Sequence, residues 1–127
     1  MILFLIGGGL FIFTIYQTTR DFKIEEEIHK TFSPLLDAIN NYADINKDPP
    51  STLDKLLPKF ITRIPTSKII ENVEYKLINN GKDWELKLQG ENNIYIYRFT
   101  NIYSAEEKKQ IIKQYHGNWA VFEFKKQ

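Results

Sequence analysis

Residues 73–88 read VEYKLINNGKDWELKL. Val73, Tyr75 and Leu77 alternate with Glu74 and Lys76, and Trp84, Leu86 and Leu88 alternate with Glu85 and Lys87, the period of two that gives a strand one apolar and one polar face. Between the two runs, Asn79-Asn80-Gly81 supplies residue types that tolerate the positive φ of a tight hairpin turn. A hairpin with one apolar face needs a covering layer, and the residues before it provide one. Phe22, Ile24, Ile28, Phe32, Leu35, Leu36, Ile39 and Tyr42 recur in steps of three and four, one stripe of an amphipathic helix. Helix stripe and sheet face each need the other to leave water, so the expected fold class is α+β, a long amphipathic helix packed on a small antiparallel sheet.

Working outward, Pro34 interrupts the helical stripe, and the preceding Ser33 suggests a kink or restart with Ser33 as N-cap. The breaker-rich residues 44–50 (DINKDPP) then form a loop, Ser51 caps a short helix over residues 52–57 that Pro58 closes, and Leu53, Leu56 and Leu57 are its buried side. Residues 59–65 read as an extended strap. A second turn at residues 90–93 leads to a third strand over residues 94–99. Ser104-Ala105-Glu106-Glu107 fits a capping box. The helix it opens should carry Ile111, Ile112 and Tyr115 on one side and stop at Gly117. A last strand, residues 118–124, offers Ala120, Phe122 and Phe124 to one face.

The chain has 127 residues, a net charge of +1 and no cysteine. One ordinary domain fits this length, and neither global attraction to nucleic acid nor a disulfide or Cys-ligated metal framework does. Charge is unevenly spread, since nothing before Arg20 is charged. Residues 1–19, MILFLIGGGLFIFTIYQTT, reach about 28 Å as a helix, near the thickness of a bilayer core. They lack the basic start and the A-x-A-like site of a cleavable signal. The expected organisation is therefore a transmembrane anchor over residues 1–19, in contact with the lipid bilayer, and an α+β domain over residues 20–127. Arg20, Lys23 and Lys30 follow the span, an arrangement that by the positive-inside rule keeps the body in the cytoplasm.

Leu35, Ala38, Ile39 and Tyr42, the run Pro49-Pro50-Ser51-Thr52-Leu53-Asp54-Lys55-Leu56-Leu57-Pro58-Lys59-Phe60-Ile61, and Ile64-Pro65 together resemble the type IV pilin and type II secretion pseudopilin family, and related membrane-anchored bacterial proteins. The resemblance covers residues 1–65 in plan, with its specific matches in residues 35–65. It implies an N-terminal membrane helix continuing into an amphipathic helix on an antiparallel sheet, a single-pass placement in the cell membrane with the body outside the cytoplasm, and protein partners in the envelope. The family's prepilin cleavage motif is absent from these residues: Gly9 is followed by Leu10, and Gln17 stands where the family's glutamate would be counted from Phe13.

Chemistry is sparse. His29 and His116 are the only histidines. His116 beside Gly117 suits a helix C-terminus, and His29, near Glu25 and Glu26, suits a solvated face, so no catalytic residue is assigned. Asp44-Ile45-Asn46-Lys47-Asp48 imitates the opening of a calcium loop, but Pro49 replaces its glycine and Lys55 its closing glutamate. Asp83, Glu85 and Glu91 fit a solvent face better than a cation site. Tyr95, Tyr97, Phe99 and Tyr103 near Arg98 suggest base stacking, yet the lysines do not gather with them. No metal, cofactor, nucleic-acid or small-molecule site is expected. The function expected is a non-catalytic, membrane-anchored structural or interaction component of a bacterial envelope or secretion-related assembly. The alternative is a membrane-tethered binding module such as an immunity, inhibitor or sensor protein.

Overall fold

The computed structural model describes the backbone of residues 8–124 and the side chains of residues 20–124. Helix α1 (Gly8–Asn46) is followed by a short 3-10 turn (Leu53–Leu56), strands β1 (Asn72–Ile78), β2 (Asp83–Gln89) and β3 (Asn93–Arg98), helix α2 (Ala105–Gln110), and strands β4 (Ile111–Tyr115) and β5 (Trp119–Glu123). The five strands form one sheet in the order β1-β2-β3-β5-β4, with every neighbouring pair antiparallel.

The hairpin forms where its alternation places it, pairing Val73 with Leu88, Tyr75 with Leu86 and Leu77 with Trp84. Asn79, Asn80 and Gly81 all take positive φ in its turn. The helix stripe lies on this face: Ile28, Phe32, Leu35, Leu36, Ala38 and Ile39 are buried with Trp84, Leu86, Leu88, Tyr95, Trp119 and Val121. Tyr42 packs edge-on against Phe60 at 5.3 Å. The Tyr75 hydroxyl donates to the Pro50 carbonyl at 2.6 Å, fastening the loop after α1 to the sheet.

Several expectations are corrected. Among the described residues no helix is long and apolar enough to cross a membrane, which overturns both the N-terminal transmembrane helix and the single-pass membrane placement. Residues 1–7, the start of the apolar run, lie outside the described residues. Pro34 sits inside a continuous α1. Ser33 is not an N-cap, because its hydroxyl donates back to the His29 carbonyl one turn earlier, a bond open to serine in mid-helix. The segment at 52–57 tightens to the 3-10 turn, where Thr52 precedes the first residue without a side-chain cap bond. Leu56 is buried there, whereas Leu57 is exposed. Residues 59–60 turn instead of extending, although Phe60, Ile61 and Ile64 still pack against the core.

The helix opened by the capping box is the largest departure in the second half. Both reciprocal bonds of the box are present, but the helix ends at Gln110 and the chain turns into β4. Ile111 and Ile112 are β-branched and suit a strand, and pairing with β5 decides the outcome. Gly117 is left-handed, as is His116, but both belong to the β4–β5 turn and not to a helix stop. Trp119 and Val121 face the helix, while Ala120 and Phe122 join Ile96 and Tyr103 in a second, smaller cluster on the opposite face.

Candidate protein-interaction site

The face of the sheet turned away from α1 carries Asp83 and Glu85, each only 3% exposed. The expectation of a solvated acidic face is therefore corrected at these positions. A buried carboxylate needs paired or hydrogen-bonded partners, and β3 and the residues after it supply them. Arg98 Nε donates to Glu85 Oε1 at 2.8 Å, Nη1 to Glu107 Oε1 at 3.0 Å, and Nη2 to Glu107 Oε2. Its guanidinium carbon lies 4.4 Å from the centroid of the Tyr103 ring, within cation–π range. The bond from Arg98 leads the causes that hold the Glu107 carboxyl down to about 2, with the backbone bond to Ser104 next. The Arg98 guanidinium is raised above its ordinary value, first through Glu107. Burial pushes the Tyr103 phenol up to about 12, against the opposing pull of Arg98.

These groups grip the loop between β3 and α2, residues 99–104. Arg98 Nη1 also donates to the Ile102 carbonyl at 2.9 Å. Asp83 Oδ1 accepts from the Thr100 amide at 3.2 Å and Oδ2 from the Thr100 hydroxyl. Asn118 Nδ2 donates to the carbonyls of Arg98 at 3.0 Å and Phe99 at 2.9 Å. Asn101 turns the chain with a positive φ of 57°, and its amide returns to the Arg98 carbonyl at 3.0 Å. The loop is thus tied from β2, from β3 and from the residue before β5.

What the loop displays is apolar. Phe99 is 50% exposed and Ile102 68% exposed. The Phe99 ring stacks on Trp84 with centroids 6.0 Å apart, and Trp84 is itself buried. Loops positioned by a rigid scaffold are where binding residues concentrate, and side chains ordered in advance lose less entropy on association. Chemically, the loop exposes an aromatic group seated on Trp84 and, from the stretch held by Arg98, a branched aliphatic one.

The other residues singled out in the sequence are placed elsewhere. His29 and His116 come together, their rings stacked with centroids 3.9 Å apart, and His116 Nε2 meets Glu26 Oε1. His29 is consequently not simply solvated, and His116 sits in a hairpin turn instead of at a helix end. Lys113 Nζ pairs with the buried Glu25 at 2.6 Å, so this cluster ties the β4–β5 hairpin to α1. Glu91 lines a cavity of about 400 Å³ with Arg20, Asp21, Lys68 and Tyr95, away from Asp83 and Glu85. Asn46 ends α1, which puts the calcium-like pentad on a helical turn instead of a coordinating loop. Among the described residues no group of three His, Asp or Glu side chains is arranged to hold a metal ion. Of the aromatic set, Tyr95 and Tyr97 belong to the core under α1 and Tyr103 to the opposite cluster, leaving Phe99 alone of the four exposed. Nothing in the sequence singled out Thr100 or Ile102, and Asn118, expected to open the last strand, instead precedes it and holds the loop. The one signal available was an isoleucine set between Asn101 and Ser104, polar turn formers.

No family model, curated protein or solved structure matches this chain.

Proposed function

We propose that the chain is a non-catalytic structural or interaction component with a pilin-like helix-on-sheet plan, engaging a protein partner through the loop at residues 99–104. The single observation that carries this reading is the fixed presentation of exposed Phe99 and Ile102 by Asp83, Arg98 and Asn118. Solvated loops gain little from such anchoring, whereas a docking loop gains preorganisation. The plan supports the pilin-like part: the stretch of α1 from Ile24 to Tyr42 packs on one face of the antiparallel sheet. Residues 35–65 carry the sequence resemblance.

The test is site-specific photo-crosslinking in cells that naturally make the protein, with the probe at Ile102 and a control probe at Lys109. Discrete adducts to one protein from Ile102, abolished by Phe99→Ser and absent from Lys109, are expected. Equal labelling from both positions, or none from either, overturns the reading. The cavity bounded by Arg20, Lys68 and Glu91 favours a second reading, a small binding module. A ligand whose binding is lost in Lys68→Ala and kept in Phe99→Ser would replace the first reading with this one.

A further inference from the structure

The sheet has two edges, β1 and β4, and they differ. The β4 edge is five residues long and its ladder is broken by a register shift between Ile111 and Lys113. Such an irregularity is a device by which proteins blunt an edge against further pairing. The β1 edge runs seven residues in unbroken register with β2.

Which β1 groups face outward follows from the ladder. Gly90 N donates to Asn93 O, and Phe99 N to Trp84 O. The even-numbered residues of β2 therefore bond to β3 and the odd-numbered ones to β1. Register pairs each odd β2 residue with an even β1 residue, as in Glu85 with Lys76 and Lys87 with Glu74. The N–H and C=O groups of Val73, Tyr75 and Leu77 are left on the open edge, and no strand of the sheet pairs with them.

We propose that two copies of this chain associate through β1, antiparallel and two-fold symmetric about Tyr75, joining their sheets into one. In that register Tyr75 faces Tyr75 of the other copy, and Val73 faces Leu77, so every outward group of the three residues finds a partner. Glu74 then stands opposite Lys76 in both symmetry-related positions. These are the non-hydrogen-bonded positions, where opposed side chains come closest. Glu74 and Lys76 are both exposed in the single chain. The two nearest registers that still match outward groups centre on Glu74 or on Lys76, and each sets like charges face to face. Charge complementarity thus selects one register out of three. Antiparallel pairing also keeps both apolar faces on one side, Val73, Tyr75 and Leu77 beside their counterparts. A C2 interface demands this kind of self-complementary patch.

Sedimentation equilibrium over a range of concentrations, with amide hydrogen exchange on the same samples, tests the pairing. The unaltered chain should dimerise reversibly, with the Val73, Tyr75 and Leu77 amides protected only at high concentration and those of Glu74 and Lys76 protected throughout. Glu74→Lys alone, or Lys76→Glu alone, should weaken self-association roughly tenfold, because each sets two like-charge pairs opposite one another. Mixing those two variants should restore dimers as hetero-pairs, and the double exchange E74K/K76E should restore them as homodimers. Lys76 also reaches Glu85 at 3.5 Å and Glu74 stands across from Lys87, so each exchange alters a contact within the chain, and urea unfolding of every variant separates a loss of pairing from a loss of folding. A chain that stays monomeric, or dimers indifferent to the single exchanges, overturns the proposal.

Discussion

The two faces of the sheet are covered by different physics. Toward α1 the coverage is hydrophobic, with Phe32, Leu35, Ile39, Trp84, Leu86 and Trp119 all essentially inaccessible to water. Away from α1 it combines a small apolar cluster around Ile96, Tyr103, Ala120 and Phe122 with the buried carboxylates of Glu85 and Asp83, which accept from Arg98 and Thr100, while Arg98 also donates to Glu107. Hydrophobic burial is roughly proportional to area and indifferent to direction, so the first face supplies stability. Directional hydrogen bonds fix positions, so the second supplies the conformation of one loop. Buried ion pairs are weak evidence for stability in themselves, which is consistent with a role in positioning.

Substitutions should separate the two. Phe32→Ala, in the centre of the hydrophobic face, is expected to cost about 4 kcal/mol in urea unfolding while leaving the local bonds of residues 99–104 intact in the molecules that remain folded. Arg98→Met should cost about 3 kcal/mol, since it strands Glu85 without its main partner. Most of that loss should return in the double variant Arg98→Met/Glu85→Leu, because removing both charges leaves none buried alone; failure to recover would mean that the pair itself contributes the stability. Asp83→Ala should cost about 2 kcal/mol by leaving the Thr100 amide and hydroxyl without their acceptor, and the Thr100 amide should exchange with solvent markedly faster.

The smallest effect is acid-dependent. Glu107 is held at about 2 in the folded chain against an ordinary glutamate value near 4.3. Its stabilisation is complete above that ordinary value and is lost as pH falls through about 2. Because Glu107 is 35% exposed, solvent screening reduces the effect to about 1 kcal/mol. A stability-against-pH profile of Glu107→Gln should be flatter than the unaltered chain's between about pH 4.5 and 2 and parallel to it above that range.

The two faces were not equally legible in the sequence. Periodicity reports which side chains share a face, so the helical stripe and the alternation of residues 73–88 disclosed the hydrophobic layer. It does not report whether a second layer covers the other face, and so Asp83 and Glu85 read as solvated. Their burial depends on Arg98, Thr100 and Glu107, residues that only the return of the chain brings to β2. The same dependence on distant pairing hid β4: Ile111, Ile112 and Tyr115 fit a helical side as well as a strand, and the choice lies with β5. Ser104 and Glu107 announced the start of α2 because a capping box is local, whereas its end was set by tertiary structure. Phe99, Tyr103 and Ser104 stood out in the sequence, but the hold on the loop they share did not, since its anchors at Asp83, Arg98 and Asn118 are long-range or cross-turn bonds from side chains with an ordinary local use. The apolar start of the chain read as a membrane span by composition and length, whereas among the described residues no helix is long and apolar enough to cross a membrane.

The measurement closest to the functional reading is backbone ¹⁵N relaxation across residues 99–104. A loop pinned for docking should give order parameters near 0.85, equal to those of the strands, despite the exposure of Phe99 and Ile102, and should loosen in Asp83→Ala. Values below about 0.6 in the unaltered chain, typical of mobile surface loops, would remove the preorganised site on which the interaction role rests.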